Sequence, residues 1–169
     1  MNILETERLA LRELAPGDEA FILELLGEPA FLKNIGDRGV RSLEDASGYI
    51  ASSAIASYRK NGFGMYRVAL KESDVAAGIC GLVKREGLDG PDLGFAFLER
   101  FWNRGYASEA AAAILVHARH KLSLGRVLAI TALENRGSMR VLEKLGFRFD
   151  GITKLPGHAA ESRLFVRKA

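Results

Sequence analysis

The segment Phe101-Trp102-Asn103-Arg104-Gly105-Tyr106-Ala107-Ser108 carries the strongest chemical signal in this 169-residue chain. It lies between an apolar run and a long stretch of helical periodicity, so it reads as a strand–loop–helix junction. Gly105 and the small residues after it leave several backbone N–H groups open near a helix N-terminus, which makes a cradle for an anion. Arg104 sharpens that reading. A cation there opposes the helix dipole, at a cost of a few tenths of a kcal/mol, unless an anion sits between them. A glycine turn with a solvated arginine fits the same residues. The loop spells neither G-x-G-x-x-G nor a Walker A lysine, which weighs against dinucleotide and nucleoside-triphosphate binding.

Other reactive side chains are few. Asp92 enters an otherwise apolar run two residues before Gly94, where desolvation raises a carboxyl pKa; it also fits as the last residue of the turn after Gly90-Pro91. Asn135 fits the N-cap of a late helix, Ser138 an ordinary first-turn serine, and Arg140 a solvated helix face. Glu109 sits in the first turn of a helix, where the dipole alone favours an acid. His117 and His120 are three apart and His158 is remote, so a metal site lacks its third ligand and none is expected. Cys80 lies in an apolar run and reads as a buried, inert thiol.

The elements that must position these residues follow from periodicity. Leu9 and Leu11 alternate with polar neighbours as a first strand, and Pro16-Gly17-Asp18 opens a helix carrying Phe21, Ile22, Leu25 and Leu26. Residues 31–41 read as a loop. Ser42 with Asp45 begins a second helix, running to about Lys60. Residues 65–70 and 75–83 form a hairpin, and 93–98 is apolar on both faces, as a buried central strand must be. Helices over 105–122 and 136–145 flank a strand at 127–132, Gly146 is a natural left-handed stop, and strands at 147–152 and 162–166 close the chain. The alternation through 91–150 predicts a βαβ crossover with two parallel strands inside a mixed α/β sheet.

Composition bounds the rest. With 48% hydrophobic and 27% charged residues the chain is an ordinary globular protein, expected as one domain over 1–169. The formal charge of +3 is dispersed, with no basic stripe for nucleic acid, so Trp102 and Tyr106 read better as packing around the loop than as stacking platforms. A lone cysteine precludes an internal disulfide, and there is neither a signal-peptide pattern nor a membrane-length apolar stretch; a cytoplasmic protein is expected, as monomer or homodimer.

Four motifs together resemble one family. Trp102-x-x-Gly105-x-Ala107 is similar to the coenzyme-A pyrophosphate loop of the GNAT superfamily of N-acetyltransferases, in the variant with Trp at the first position. Thr6-Glu7-Arg8-Leu9-x-Leu11-Arg12 resembles the opening strand of the branch that includes the RimJ/RimL ribosomal-protein N-terminal acetyltransferases. Gly78-x-x-Gly81-Leu82 resembles its third strand, and Asn135-x-x-Ser138-x-x-Val141-x-x-Lys144-x-Gly146-Phe147 its last helix and the strand that follows. The motifs fall in order over nearly the whole chain.

The resemblance implies the GNAT acyl-CoA N-acyltransferase fold, a central mixed twisted sheet with about four helices. It also implies acetyl-CoA as co-substrate, and direct attack of a primary amine on the thioester. The pantetheine arm then lies between splayed strands 92–98 and 127–132, with backbone N–H groups of Phe95, Ala96 and Phe97 facing the acetyl carbonyl. The pyrophosphate rests on Arg104, Gly105, Tyr106, Ala107 and Ser108, with Arg140 within reach, and Asn135 bonds the pantetheine. Asp92 matches a position where the family often carries Glu, and is the candidate general base; a water chain is the alternative. The family's helical Tyr is replaced here by Leu142, so Ser138 is the candidate general acid. The acceptor, a protein N-terminal amine or a small-molecule amine, is expected among residues 31–41 and 153–162, where Asp37, Glu44 and Glu161 offer negative charge. A non-catalytic acyl-CoA-binding sensor on the same fold is the alternative that Leu142 favours, and a nucleotide-binding protein a third reading.

Overall fold

In the computed structural model, which describes residues 2–168, eight strands form one sheet in the order β1-β2-β3-β4-β5-β6-β8-β7. The strands are β1 Asn2–Glu5, β2 Leu9–Glu13, β3 Met65–Leu70, β4 Ala76–Val83, β5 Asp92–Phe97, β6 Arg126–Ala132, β7 Arg148–Thr153 and β8 Ser162–Lys168. Every neighbouring pair is antiparallel except β5–β6, the parallel pair that the crossover pattern predicts.

Helices cover both faces. On one lie α1 (Glu19–Gly27), α2 (Pro29–Asn34), α3 (Leu43–Tyr49) and α4 (Ala56–Asn61), around a core that includes Ile22, Leu25, Phe31, Ile50 and Ile79. On the other lie α5 (Tyr106–His120) and α6 (Arg136–Lys144). Ala110, Ala111, Ile114 and Ala118 of α5, with Leu142 of α6, pack there on Val68, Leu93, Val127 and Phe165. The small-residue stripe of α5 lets its backbone approach the sheet closely.

The predicted helix from Ser42 to Lys60 is present, with the Ser42 hydroxyl accepting from Asp45 N–H at 3.0 Å, but a π-helical segment, Ile50–Ile55, separates α3 from α4. One expectation needs correction, and one strand was not foreseen. Residues 31–41 are not all loop: Pro29, whose fixed φ suits a first helical position, starts a short α2 that runs to Asn34, so five helices rather than four flank the sheet when α3 to α4 is counted once. Strand β1 carries no alternation to reveal it and forms by pairing with the edge of β2.

Glycines at 78 and 81 answer a packing demand. A Cβ on Gly81 would meet the Gly64 carbonyl, and one on Gly78 would meet the Ala96 carbonyl and the Phe97 ring. Only glycine lets β4 sit this close to its neighbours. No helix among the described residues is long and apolar enough to cross a membrane.

Candidate active site

Strands β5 and β6 touch only where they begin. Asp92 lies opposite Leu128, whose N–H donates to the Pro91 carbonyl at 3.0 Å, and past that pair no ladder joins them. Backbone groups along a strand alternate between its two neighbours. Ala96, paired with Ile79, turns its groups to β4, as does Leu98, whose N–H donates to Ala77. Pro91 faces β6, and therefore so do Phe95 and Phe97. The Phe97 carbonyl accepts from the Trp102 indole N–H at 2.8 Å. That leaves the Phe95 N–H and C=O and the Phe97 N–H as an open strand edge, without protein partners among the described residues. Of the three expected donors, Ala96 is thus the exception: its N–H belongs to the sheet.

At the C-terminal end of this edge the cradle forms. Asn103 and Gly105 both take left-handed backbone conformations, with φ of 59° and 80°. The first bond of α5 runs from Glu109 N–H to the Gly105 carbonyl, so the N–H groups of Gly105, Tyr106, Ala107 and Ser108 have no helical acceptor. No side chain caps them. The Arg104 guanidinium lies 6.0 Å from the Phe101 ring centroid and off the cleft wall, and its carbonyl accepts from Arg8 Nη1 at 2.9 Å. Arg104 is thus exposed beside Phe101, itself a residue of the cleft wall, and its carbonyl helps to fix the loop. Arg140 lines the cleft from α6, exposed and without a carboxylate partner among the described residues.

The wall formed by β6 and α6 adds polar groups. Asn135 Oδ1 accepts from Ser138 N–H at 3.2 Å, which makes Asn135 the cap of α6 and leaves its amide nitrogen for another partner. Ser138 also lines the cleft. Leu142 is 1% exposed in the core, so its position offers no proton. Sequence reasoning missed Thr131. Its Oγ1 is buried, lines the cleft and has no hydrogen-bond partner, an orphan that fits a polar arm lying in the gap. The one signal in the sequence is a hydroxyl residue in register with Val127 and Ala129 on an apolar strand.

Asp92 stands where the gap closes. It is 1% exposed, and both carboxylate oxygens accept from Arg85 Nε, at 3.0 and 3.2 Å. Burial pushes its carboxyl pKa up, against the opposing charge and hydrogen bond of Arg85. Arg85 was also missed, because it follows β4 and nothing local links it to residue 92. Glu109 has a structural explanation: it accepts from Thr6 Oγ1 and from Arg8 N and Nε, tying α5 to the start of β2. Cys80 is fully buried in the core, and burial raises its thiol pKa. Cradle, open edge, Asp92 and the α2–α3 loop all border one cleft of about 1960 Å³, ample for two substrates.

An exposed strand edge leading from an anion cradle to a buried carboxylate is the arrangement that the resemblance to coenzyme-A-dependent acyltransferases implies. Residues 8–148 match the family model of the acetyltransferase (GNAT) domain. An uncharacterized N-acetyltransferase of Bacillus subtilis, YnaD, is 31% identical over 151 residues, spanning 89% of this chain and 85% of that one. Among solved structures, an acetyltransferase of Agrobacterium tumefaciens superposes with a TM-score of 0.83 at 26% identity, covering 98% of this chain and 94% of that one. The ribosomal L7/L12 alpha-N-protein acetyltransferase RimL, in complex with coenzyme A, shares the fold with a TM-score of 0.84 at 18% identity, covering 99% and 98%. The chain belongs to the GNAT acetyltransferase family, and it is an acetyltransferase.

Proposed function

We propose that residues 1–169 form one N-acetyltransferase domain that moves an acetyl group from acetyl-CoA to a primary amine, of a protein N-terminus as in the RimJ/RimL branch or of a small molecule. One observation carries this reading: the unpaired edge of β5 runs from the free N–H groups of α5 to the buried Asp92. A pantetheine arm can pair with Phe95 as an added strand, while Thr131 and Asn135 face it from the other wall. The N–H groups of Gly105 to Ser108, with Arg140, take the pyrophosphate.

Chemistry needs an oriented thioester, a stabilised oxyanion and two proton movements. The Phe95 and Phe97 N–H groups serve the carbonyl oxygen. Asp92, raised by burial, accepts the proton of the attacking amine while Arg85 Nε holds its carboxylate in place. The thiolate is a good leaving group, with a thiol pKa of about 8.5, and Ser138, which borders the cleft, is the residue we assign to return its proton.

Thermal unfolding with acetyl-CoA, followed by thiol release with a panel of amines, tests this. Ligand at 100 times its Kd adds about 2.7 kcal/mol, a shift of several degrees for this size. Arg140→Ala should weaken the shift. A shift without thiol release from any amine would favour a non-catalytic acyl-CoA sensor; no shift at millimolar acetyl-CoA would end the reading.

A further inference from the structure

We propose that the acceptor is a small amine that also carries an oxyanion, a carboxylate or phosphate, bound by Arg38 and Arg85 beside Asp92. The inference rests on the acetyl-transfer reading and narrows its acceptor. Four residues from separate parts of the chain meet at the acceptor end of the cleft: Arg38 before α3, Tyr49 at its end, Arg85 after β4 and His158 before β8. Arg85 gives only its Nε to Asp92; both terminal nitrogens have no protein acceptor among the described residues. Arg38 has no carboxylate partner there either, whereas nearby Arg41 is taken up by Asp37 at 2.6 Å.

Of the acids expected to draw in a cation, Glu44 and Glu161 also line the cleft, whereas Asp37, the one nearest Arg38 in sequence, is already paired. Asp37 is held by Arg41, which pulls its carboxyl down to about 2. The charges that reach the buried Tyr49 hydroxyl and the His158 imidazole are those of Arg38 and Arg85, with no carboxylate among them. Arg38 reaches the Tyr49 hydroxyl and Arg85 reaches Asp92, but neither guanidinium has a carboxylate at its terminal nitrogens among the described residues, and a planar or tetrahedral oxyanion supplies the missing acceptor. Arg85 spans both functions: Nε orients the base, and the free end faces the anion. Amine and oxyanion of the acceptor must then be only a few bonds apart, as in an amino acid or an aminoalkyl phosphate. A polyamine or a neutral peptide N-terminus leaves the guanidiniums unanswered.

The test uses full-length protein saturated with coenzyme A, titrated calorimetrically with glycine, O-phosphoethanolamine, ethanolamine, glycinamide and a short neutral peptide. Thiol release from acetyl-CoA is measured in parallel. Acid-bearing amines should bind about tenfold or more tightly than their neutral partners, and Arg38→Gln should abolish that preference while the coenzyme-A thermal shift persists. Preference for glycine or for O-phosphoethanolamine tells carboxylate from phosphate. Equal binding of neutral and acidic amines, tighter binding of the peptide, or no binding of any acidic amine overturns the proposal. Binding without thiol release would instead count against the acetyl-transfer reading and leave the anion site standing.

Discussion

Replacing Asp92 by Asn separates a catalytic carboxylate from a structural one. If the Asp92–Arg85 pair existed to hold the fold, removing one charge from a buried pair would cost about 3–5 kcal/mol. The geometry argues for much less. Arg85 is 24% exposed and keeps its terminal nitrogens free, and an asparagine oxygen can still accept from Nε at the 3.0 Å position. The sign of the titration agrees. Because burial outweighs Arg85 and raises the Asp92 pKa, the folded protein binds this proton more tightly than the unfolded chain does. That stabilisation is complete below the unfolded pKa, about 3.9, and is lost as pH rises through the folded value. At pH 7 ionised Asp92 is therefore a burden on the fold that neutral asparagine does not carry. Asp92→Asn should leave the melting temperature within about 4 °C of the parent, since 1 kcal/mol is worth roughly 2–4 °C at this size. Activity should suffer far more. Loss of a general base lowers kcat/KM by roughly 100- to 10,000-fold. The parent's acid limb should lie above the ordinary carboxylate range, and the variant should lose that limb. Steady-state thiol release across pH, with thermal unfolding at each pH, reads both quantities. A melting temperature lowered by ten degrees or more, with kcat/KM nearly unchanged, would refute this account of Asp92.

Gly81→Ala should destabilise by roughly 1–3 kcal/mol or more in chemical denaturation, because its Cβ would collide with the Gly64 carbonyl backbone. Glu109→Gln should lower the melting temperature at pH 7 without changing the acid limb of activity. Burial pushes Glu109 up, but hydrogen bonds from Thr6 and Arg8 and the Arg8 charge pull it below its ordinary value on balance. That stability is present above the unfolded pKa, about 4.3, and disappears as pH falls through the folded one, so parent and variant should converge in acid. Asn135→Ala should cost about 1 kcal/mol as a lost cap and also raise the KM for acetyl-CoA, whereas Ser138→Ala should lower kcat alone. A kcat for Ser138→Ala equal to the parent's would remove its hydroxyl from the proton path.

How much of this was legible in the sequence depended on how each site is strung along the chain. The cofactor cradle is one contiguous segment whose glycine, small residues and helix start sit within a single turn, and local physics exposes it. The open edge of β5 was nearly as plain, since a fully apolar strand followed by a crossover helix must lie beside a parallel partner; only the alternation that turns Ala96 away needed the register. The direction of the Arg104 side chain could not be read from its type: it stands over Phe101, between left-handed residues Asn103 and Gly105. The acceptor end was silent for a different reason. Arg38, Tyr49, Arg85 and His158 each look like ordinary surface or packing residues where they stand, and they meet only after β4, α3 and the β7–β8 loop have been placed. Asp37 and Glu44 lie close together in sequence and so drew attention, yet Arg41, four residues from Asp37, had already taken that charge. A site that binds what the whole family shares can be written in one loop. A site that separates one amine from another is assembled across the fold, and its charge is knowable only once every partner's partner is known.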